Sequence, residues 1–236
     1  MPVNAAIRLD DGPLCSFTFD DCPTSALAVG GAKLESVGAH GTYFIAAGMS
    51  KPQRDSIDPL LWGSPLAAAR SAGHELGCHT FSHRSLASLR TEEIDAEFEK
   101  NLCALREVLP DVDLVSFSYP FGEVSVRAKR AVTNRFGVGR GVREGLNGRI
   151  IDLSELRAVH IFSRTFDRDR ISSYIANVLR RRAWLVFITH DIRNDPGDWG
   201  CTSAEFEFVV DAVRRANIEI LTLRAALGRV THRTLP

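Results

Sequence analysis

Two aspartates stand side by side at Asp20-Asp21, and two histidines stand four residues apart at His79 and His83. Imidazoles at i and i+4 project from one face of a helical turn, a usual way to hold a divalent metal. A carboxylate completes a set of three protein ligands and leaves positions open for water and substrate. Two adjacent carboxylates cannot easily share that duty. If one binds metal, the other is free to take a proton from water that the metal activates. A separate histidine, His190, would then protonate a leaving group. Thr80 stands where the HExxH motif of zinc peptidases needs its glutamate, so that motif is excluded. The HxxxH spacing alone would equally suit a helix with two structural histidines; the Asp pair is what favours metal.

The chain must bring these groups together. Short apolar runs predict strands at Leu14–Phe19, Thr42–Ala46, His74–Cys78, Leu114–Ser118, Trp184–Thr189 and Ile218–Thr222. Helical patterns lie between them. Ile94, Phe98, Leu102, Leu105 and Leu109 keep a period near 3.6 behind Thr91 as the expected N-cap, and Phe206, Val209, Val210 and Val213 repeat the pattern. Strand–helix alternation without a Pro/Gly/Ser-rich linker implies one α/β domain over residues 1–236, open or barrel-like, with a mainly parallel sheet. Ligands of such folds gather at the carboxyl ends of the strands. The first predicted strand ends in Asp20-Asp21, the third in His79-Thr80-Phe81-Ser82-His83, the fourth in Tyr119-Pro120-Phe121-Gly122 and the fifth in His190-Asp191.

In that order, Thr18-Phe19-Asp20-Asp21, Gly41-Thr42-Tyr43-Phe44, His79 to His83, Tyr119 to Gly122 and Ile188-Thr189-His190 resemble the polysaccharide deacetylases with the NodB homology domain, carbohydrate esterase family 4. The resemblance runs from about Leu14 to Leu227. It implies a deformed (β/α) barrel and metal-dependent hydrolysis of an acetyl group on a sugar. It further implies that Asp21, His79 and His83 bind the metal, most commonly zinc, that Asp20 is the general base and His190 the general acid. Tyr119, Pro120 and Phe121 would form the substrate and oxyanion side, with the Phe121 N–H assisting the metal.

Three departures from the family pattern stand out. Cys22 replaces the glycine after the Asp pair and reads as a small residue tolerated at a turn. Ser118 replaces an arginine that pairs with the catalytic aspartate; Arg157, in Leu156-Arg157-Ala158-Val159, is the expected substitute. The Asp-Trp pair that orients the last histidine is out of order here, because Asp198-Trp199 follows His190. Asp167 and Asp169 lie nearer the expected place, yet either suits an N-cap, so the orienting carboxylate is unassigned. Trp199 could stack on a sugar ring or pack its loop. His40, His74, His160 and His232 read as structural or solvated, and Gly137 to Gly141 lacks the features of a phosphate loop.

Composition limits the partners. Twenty-nine basic and 29 acidic residues give zero net charge, which argues against a nucleic-acid or membrane-surface binder. The balance hides a split: residues 1–118 carry 9 basic and 16 acidic side chains, and residues 119–236 carry 20 and 13. Seven basic residues lie between Arg127 and Arg149. If they line the cleft, a phosphate-bearing acetyl sugar is the substrate to expect; otherwise they form a solvated basic face. Five cysteines without a CxxC pair, no signal-peptide pattern and no apolar run long enough for a bilayer predict a cytoplasmic protein. The leading expectation is therefore a deacetylase of a glycan-biosynthesis intermediate. A carbohydrate binder that has lost catalysis, or a hydrolase of another C–N bond such as a cyclic amide or formamide, are its rivals.

Overall fold

The computed structural model describes residues 4–6, 12–50, 61–148 and 150–231. Its strands are β1 (Asn4–Ala6), β2 (Leu14–Phe19), β3 (Thr42–Ile45), β4 (Glu75–Cys78), β5 (Ser116–Ser118), β6 (Val138–Arg140), β7 (Ile150–Asp152), β8 (Val159–His160), β9 (Trp184–Thr189) and β10 (Glu219–Ile220). The helices are α1 (Ala32–Glu35), α2 (Ala47–Ser50), α3 (Ser64–Ser71), α4 (Thr91–Val108), α5 (Val126–Arg135), α6 (Arg168–Arg181), α7 (Ser203–Arg215) and α8 (Leu223–Thr231). Eight of the described strands form one sheet in the order β6-β5-β4-β3-β2-β9-β8, with β10 beside β2. Every pairing in it is parallel.

The segment after β7 draws the two sheet edges together. Gly139 N–H donates to Leu153 O and Leu156 N–H to Gly139 O, while β8 just beyond pairs with β9. The sheet thus curls into the deformed (β/α) barrel that the resemblance implies. All six residues of β2 and of β9 are buried, which is why these strands read as apolar runs without alternation. Helices cover the outside through one apolar face each: Ile94, Phe98 and Leu105 on α4, and Phe206, Val209, Val210 and Val213 on α7.

Local details differ from expectation in two ways. The cap of α4 is Arg90, one residue before Thr91, because the Glu93 carboxylate reaches back to the Arg90 N–H at 2.9 Å. Strands β6, β7 and β8 have only two or three residues each, too few to carry an apolar pattern. At the amino end of the barrel, buried Glu75 accepts Ser116 Oγ–H (2.6 Å), Thr42 Oγ1–H (2.9 Å) and the Arg224 N–H (2.9 Å). It thereby fastens the first turn of α8 to β4. All five cysteines are free. No helix among the described residues is long and apolar enough to cross a membrane.

Candidate active site

At the carboxyl end of the barrel a cavity of about 420 Å³ is lined by the ionisable Asp20, Asp21, His79, His83 and His190 and by the aromatic Tyr119, Phe121, Phe162 and Trp199. Donor atoms of Asp21, His79 and His83 lie within 4.8 Å of one another. Asp21 Oδ1 is buried without a hydrogen-bond partner among the described residues, and Nε2 of His79 and His83 approach it at 3.6 and 3.4 Å. An orphaned carboxylate oxygen facing two imidazole nitrogens suits a cation. His79 Nδ1 lies 2.8 Å from the Ser118 carbonyl, which sets the proton on Nδ1 and leaves the Nε2 lone pair for a metal. Burial holds the His79 pKa below its ordinary value, in keeping with a neutral ring.

The segment His79 to His83 is a loop rather than the helical turn that its spacing predicts. Thr80 (φ 61°) and His83 (φ 52°) are left-handed, which no α-helix accommodates. The amides of Phe81 and Ser82, at 3.0 and 2.8 Å, donate to Glu97 Oε2 on α4, and Ser82 Oγ donates to Glu97 Oε1 at 2.8 Å. Asn101, one turn further along α4, accepts the Ala47 N–H and donates to Ile45 O. Neither residue stands out by motif. Their signal is periodic: both are polar positions on the apolar face of α4. Replacing Glu97 by Ala should slacken the loop and weaken divalent-metal binding by about tenfold or more, whereas Gln, which reaches the same amides, should retain it. Competition with a chromophoric chelator would measure both.

Asp20 is 3% exposed, and its partner is Arg140, wholly buried at the end of β6. This corrects the assignment to Arg157, whose guanidinium instead donates to the Glu144 carbonyl at 3.1 Å. The reason is register. Ser118 pairs with Arg140 across β5 and β6, so the guanidinium reaches Ser118 Oγ and Asp20 from the neighbouring strand. Burial pushes the Asp20 pKa up, but Arg140, His79 and His190 outweigh it and bring the carboxyl down to about 2.

Residues 9–139 match the family model described as polysaccharide deacetylase. The chain belongs to the polysaccharide deacetylase family. The matched span contains Asp20, Asp21, His79, His83 and Tyr119 to Phe121, and ends one residue before Arg140. Chitin deacetylase 1 of Saccharomyces cerevisiae is 30% identical over 135 residues, covering 56% of this chain and 40% of that protein. The chain thus spans under half the length of that relative. Among solved structures, a putative polysaccharide deacetylase from Mycobacterium smegmatis superposes with a TM-score of 0.66 at 18% identity, over 100% of this chain and 96% of that one. A family 4 acetyl xylan esterase from Clostridium thermocellum, solved with a cobalt ion, gives 0.63 at 17% identity, over 91% and 90%. These likenesses show the fold.

Other motif residues of this family member fall as follows. Tyr119 lines the cavity while its hydroxyl donates to Ser154 O at 2.7 Å, and Pro120 is buried at the start of the 3-10 turn Pro120–Gly122. Phe121, 67% exposed, is left-handed at φ 59°. His190 Nε2 stands 3.8 Å from Asp21 Oδ2, and its Nδ1 is buried without a partner among the described residues. Asp167 caps α6 through the Asp169 and Arg170 amides, so it is no orienting carboxylate. Trp199 lines the cavity, held there by a loop in which the Trp199 carbonyl accepts the His190 N–H. That loop needs Gly200, since a Cβ there would fall 2.0 Å from Asp191 Oδ1. Cys22 Sγ points inward to the Phe44 carbonyl at 2.9 Å, and burial pushes its pKa up, so it is a core thiol.

His160 also lines the cavity, with Nε2 2.7 Å from Val142 O. The 127–149 basic cluster does not supply cavity walls among the described residues. Arg140 backs Asp20, Lys129 pairs with Asp152 and Glu155, Arg135 with Glu99, and Arg127 binds Leu89 O. Arg149 lies outside the described residues, as does His232.

Proposed function

We propose that the chain is a divalent-metal-dependent hydrolase that removes an acetyl group from an N-acetyl or O-acetyl sugar, an intermediate of glycan biosynthesis, with the whole chain acting as one catalytic domain. The observation that carries this reading is the convergence of Asp21, His79 and His83 on one point beside the Asp20–Arg140 pair, at the wall of the cavity. Asp21, His79 and His83 would hold the ion, for which zinc suits two nitrogens and a carboxylate. When bound, it supplies Lewis acidity towards the acetyl carbonyl and lowers the pKa of water.

The protein groups then divide the proton transfers. Asp20, kept ionised by Arg140, takes a proton from the attacking water. The Phe121 N–H donates to the oxygen that becomes negative as the carbonyl carbon turns tetrahedral. His190 gives a proton to the departing amine or alcohol as its bond to that carbon breaks, and acetate leaves. Five unpaired thiols fit a reducing compartment and hence a cytoplasmic setting.

Acetate release from acetylated chitin and xylan oligomers, measured beside metal content, tests the reading. Activity should vanish on chelation and return with Zn2+ or Co2+. Undiminished activity in metal-free protein, or no acetate from any acetylated sugar by the loaded protein, would overturn it.

A further inference from the structure

Arg164 stacks on two of the aromatic residues that line the cavity. It lies on the short 3-10 turn Ser163–Thr165, and its guanidinium sits 3.7 Å over the Trp199 ring and 6.0 Å from the centre of Phe162. Both rings line the cavity. The side chain is exposed, and among the described residues no carboxylate pairs with it. Several nearby acids are committed elsewhere: Asp20 to Arg140, Asp191 to Arg193, Glu144 to Arg170, Glu205 to Ser163 and Thr202, and Asp167 to the first amides of α6.

A guanidinium stacked on an indole spends its face on the ring and keeps its in-plane N–H donors free. Stacking also restricts the side chain before any ligand arrives, so less entropy is lost on binding. The matching ligand is a planar or tetrahedral anion that accepts two parallel hydrogen bonds. The Trp199 carbonyl accepts the His190 N–H at 3.0 Å, which ties the loop carrying this stacked ring to the proposed reaction centre.

We infer that Arg164 reads an anionic substituent, carboxylate or phosphate, on the acetylated sugar, and so sets the substrate class as an acidic acetyl sugar. This rests on the deacetylase reading for the identity of the sugar, though not for the existence of the anion site. The expected positive charge of the cleft is thus supplied by Arg164 rather than by the 127–149 cluster.

Calorimetric titration of the metal-loaded protein tests it with three probes: methyl N-acetylglucosaminide, N-acetylglucosamine 1-phosphate and N-acetylmuramic acid. At low salt, wild type should bind at least one anionic probe about fivefold or more tightly than the neutral glycoside. Whether the phosphate or the carboxylate arm gains identifies the source of the charge. Arg164→Gln should abolish the preference, leaving the neutral probe unaffected, and Arg164→Lys should restore part of it. The preference should shrink as salt rises. No preference in wild type, no binding of either anion, or a preference that survives Arg164→Gln would overturn the inference. Acetate release without charge preference would overturn it and leave the deacetylase reading standing. A charge preference without acetate release under any condition would do the reverse.

Discussion

Asp20→Asn should lower acetate release at least about a hundredfold while leaving bound metal near wild type, at some cost in stability because Arg140 is left buried without its counter-charge. The amide matches the carboxylate in shape and still accepts from Arg140 and Ser118, so the surrounding strand ends have no cause to move. What it loses is basicity. A base held at about pKa 2 stays ionised across any practical assay range, so the loss should be uniform in pH rather than confined to acid. The contrast with His79→Ala is diagnostic. That variant removes a proposed ligand and should lose metal and activity together, whereas Asp20→Asn should separate them. Equal slow activity in wild type and both variants would sink the catalytic assignment.

The second large effect belongs to Arg140→Met. It leaves a buried carboxylate without its guanidinium, and such a change typically costs about 3–5 kcal/mol of stability. The pH behaviour should change in a definite direction. In the wild type Asp20 titrates at about 2 against an ordinary 3.8, so its stabilisation is present above the ordinary value and is lost as pH falls through 2. Without Arg140, burial dominates and the folded pKa moves upward. The acid limbs of both activity and stability should therefore shift to higher pH. Arg140→Lys, which retains the charge, should fall between. Denaturant melts and rate profiles across the acid range would measure both shifts; an unmoved acid limb in Arg140→Met would show that Asp20 does not depend on this partner.

How much of this was legible beforehand depended on run length and chain distance. β2 and β9 announce themselves because burial on both faces demands six consecutive buried residues. The Asp20-Asp21 pair and the His79/His83 pair were visible as local spacings. Arg140 was not, because β6 has three residues, one of them glycine, and its contact with Asp20 spans 120 positions. No single-chain pattern encodes a neighbour-strand register. The helix expected at His79 failed for a related reason: Thr80 and His83 are left-handed, and the Phe81 and Ser82 amides between them are held in a loop by Glu97, fourteen positions beyond His83.

Asp21, Thr80, His83 and Phe121 are all non-glycine residues with left-handed backbones. Each such residue costs of order 1 kcal/mol. For anyone evolving this protein towards heat resistance, the rim of the cavity is therefore where easy gains lie. Thr80 is the extreme instance, since its buried hydroxyl also lacks a partner among the described residues. A glycine there would relieve both penalties, and a screen on melting temperature alone would select it. The same glycine would free the segment that carries both histidines, trading a rigid catalyst for a sturdier and slower one.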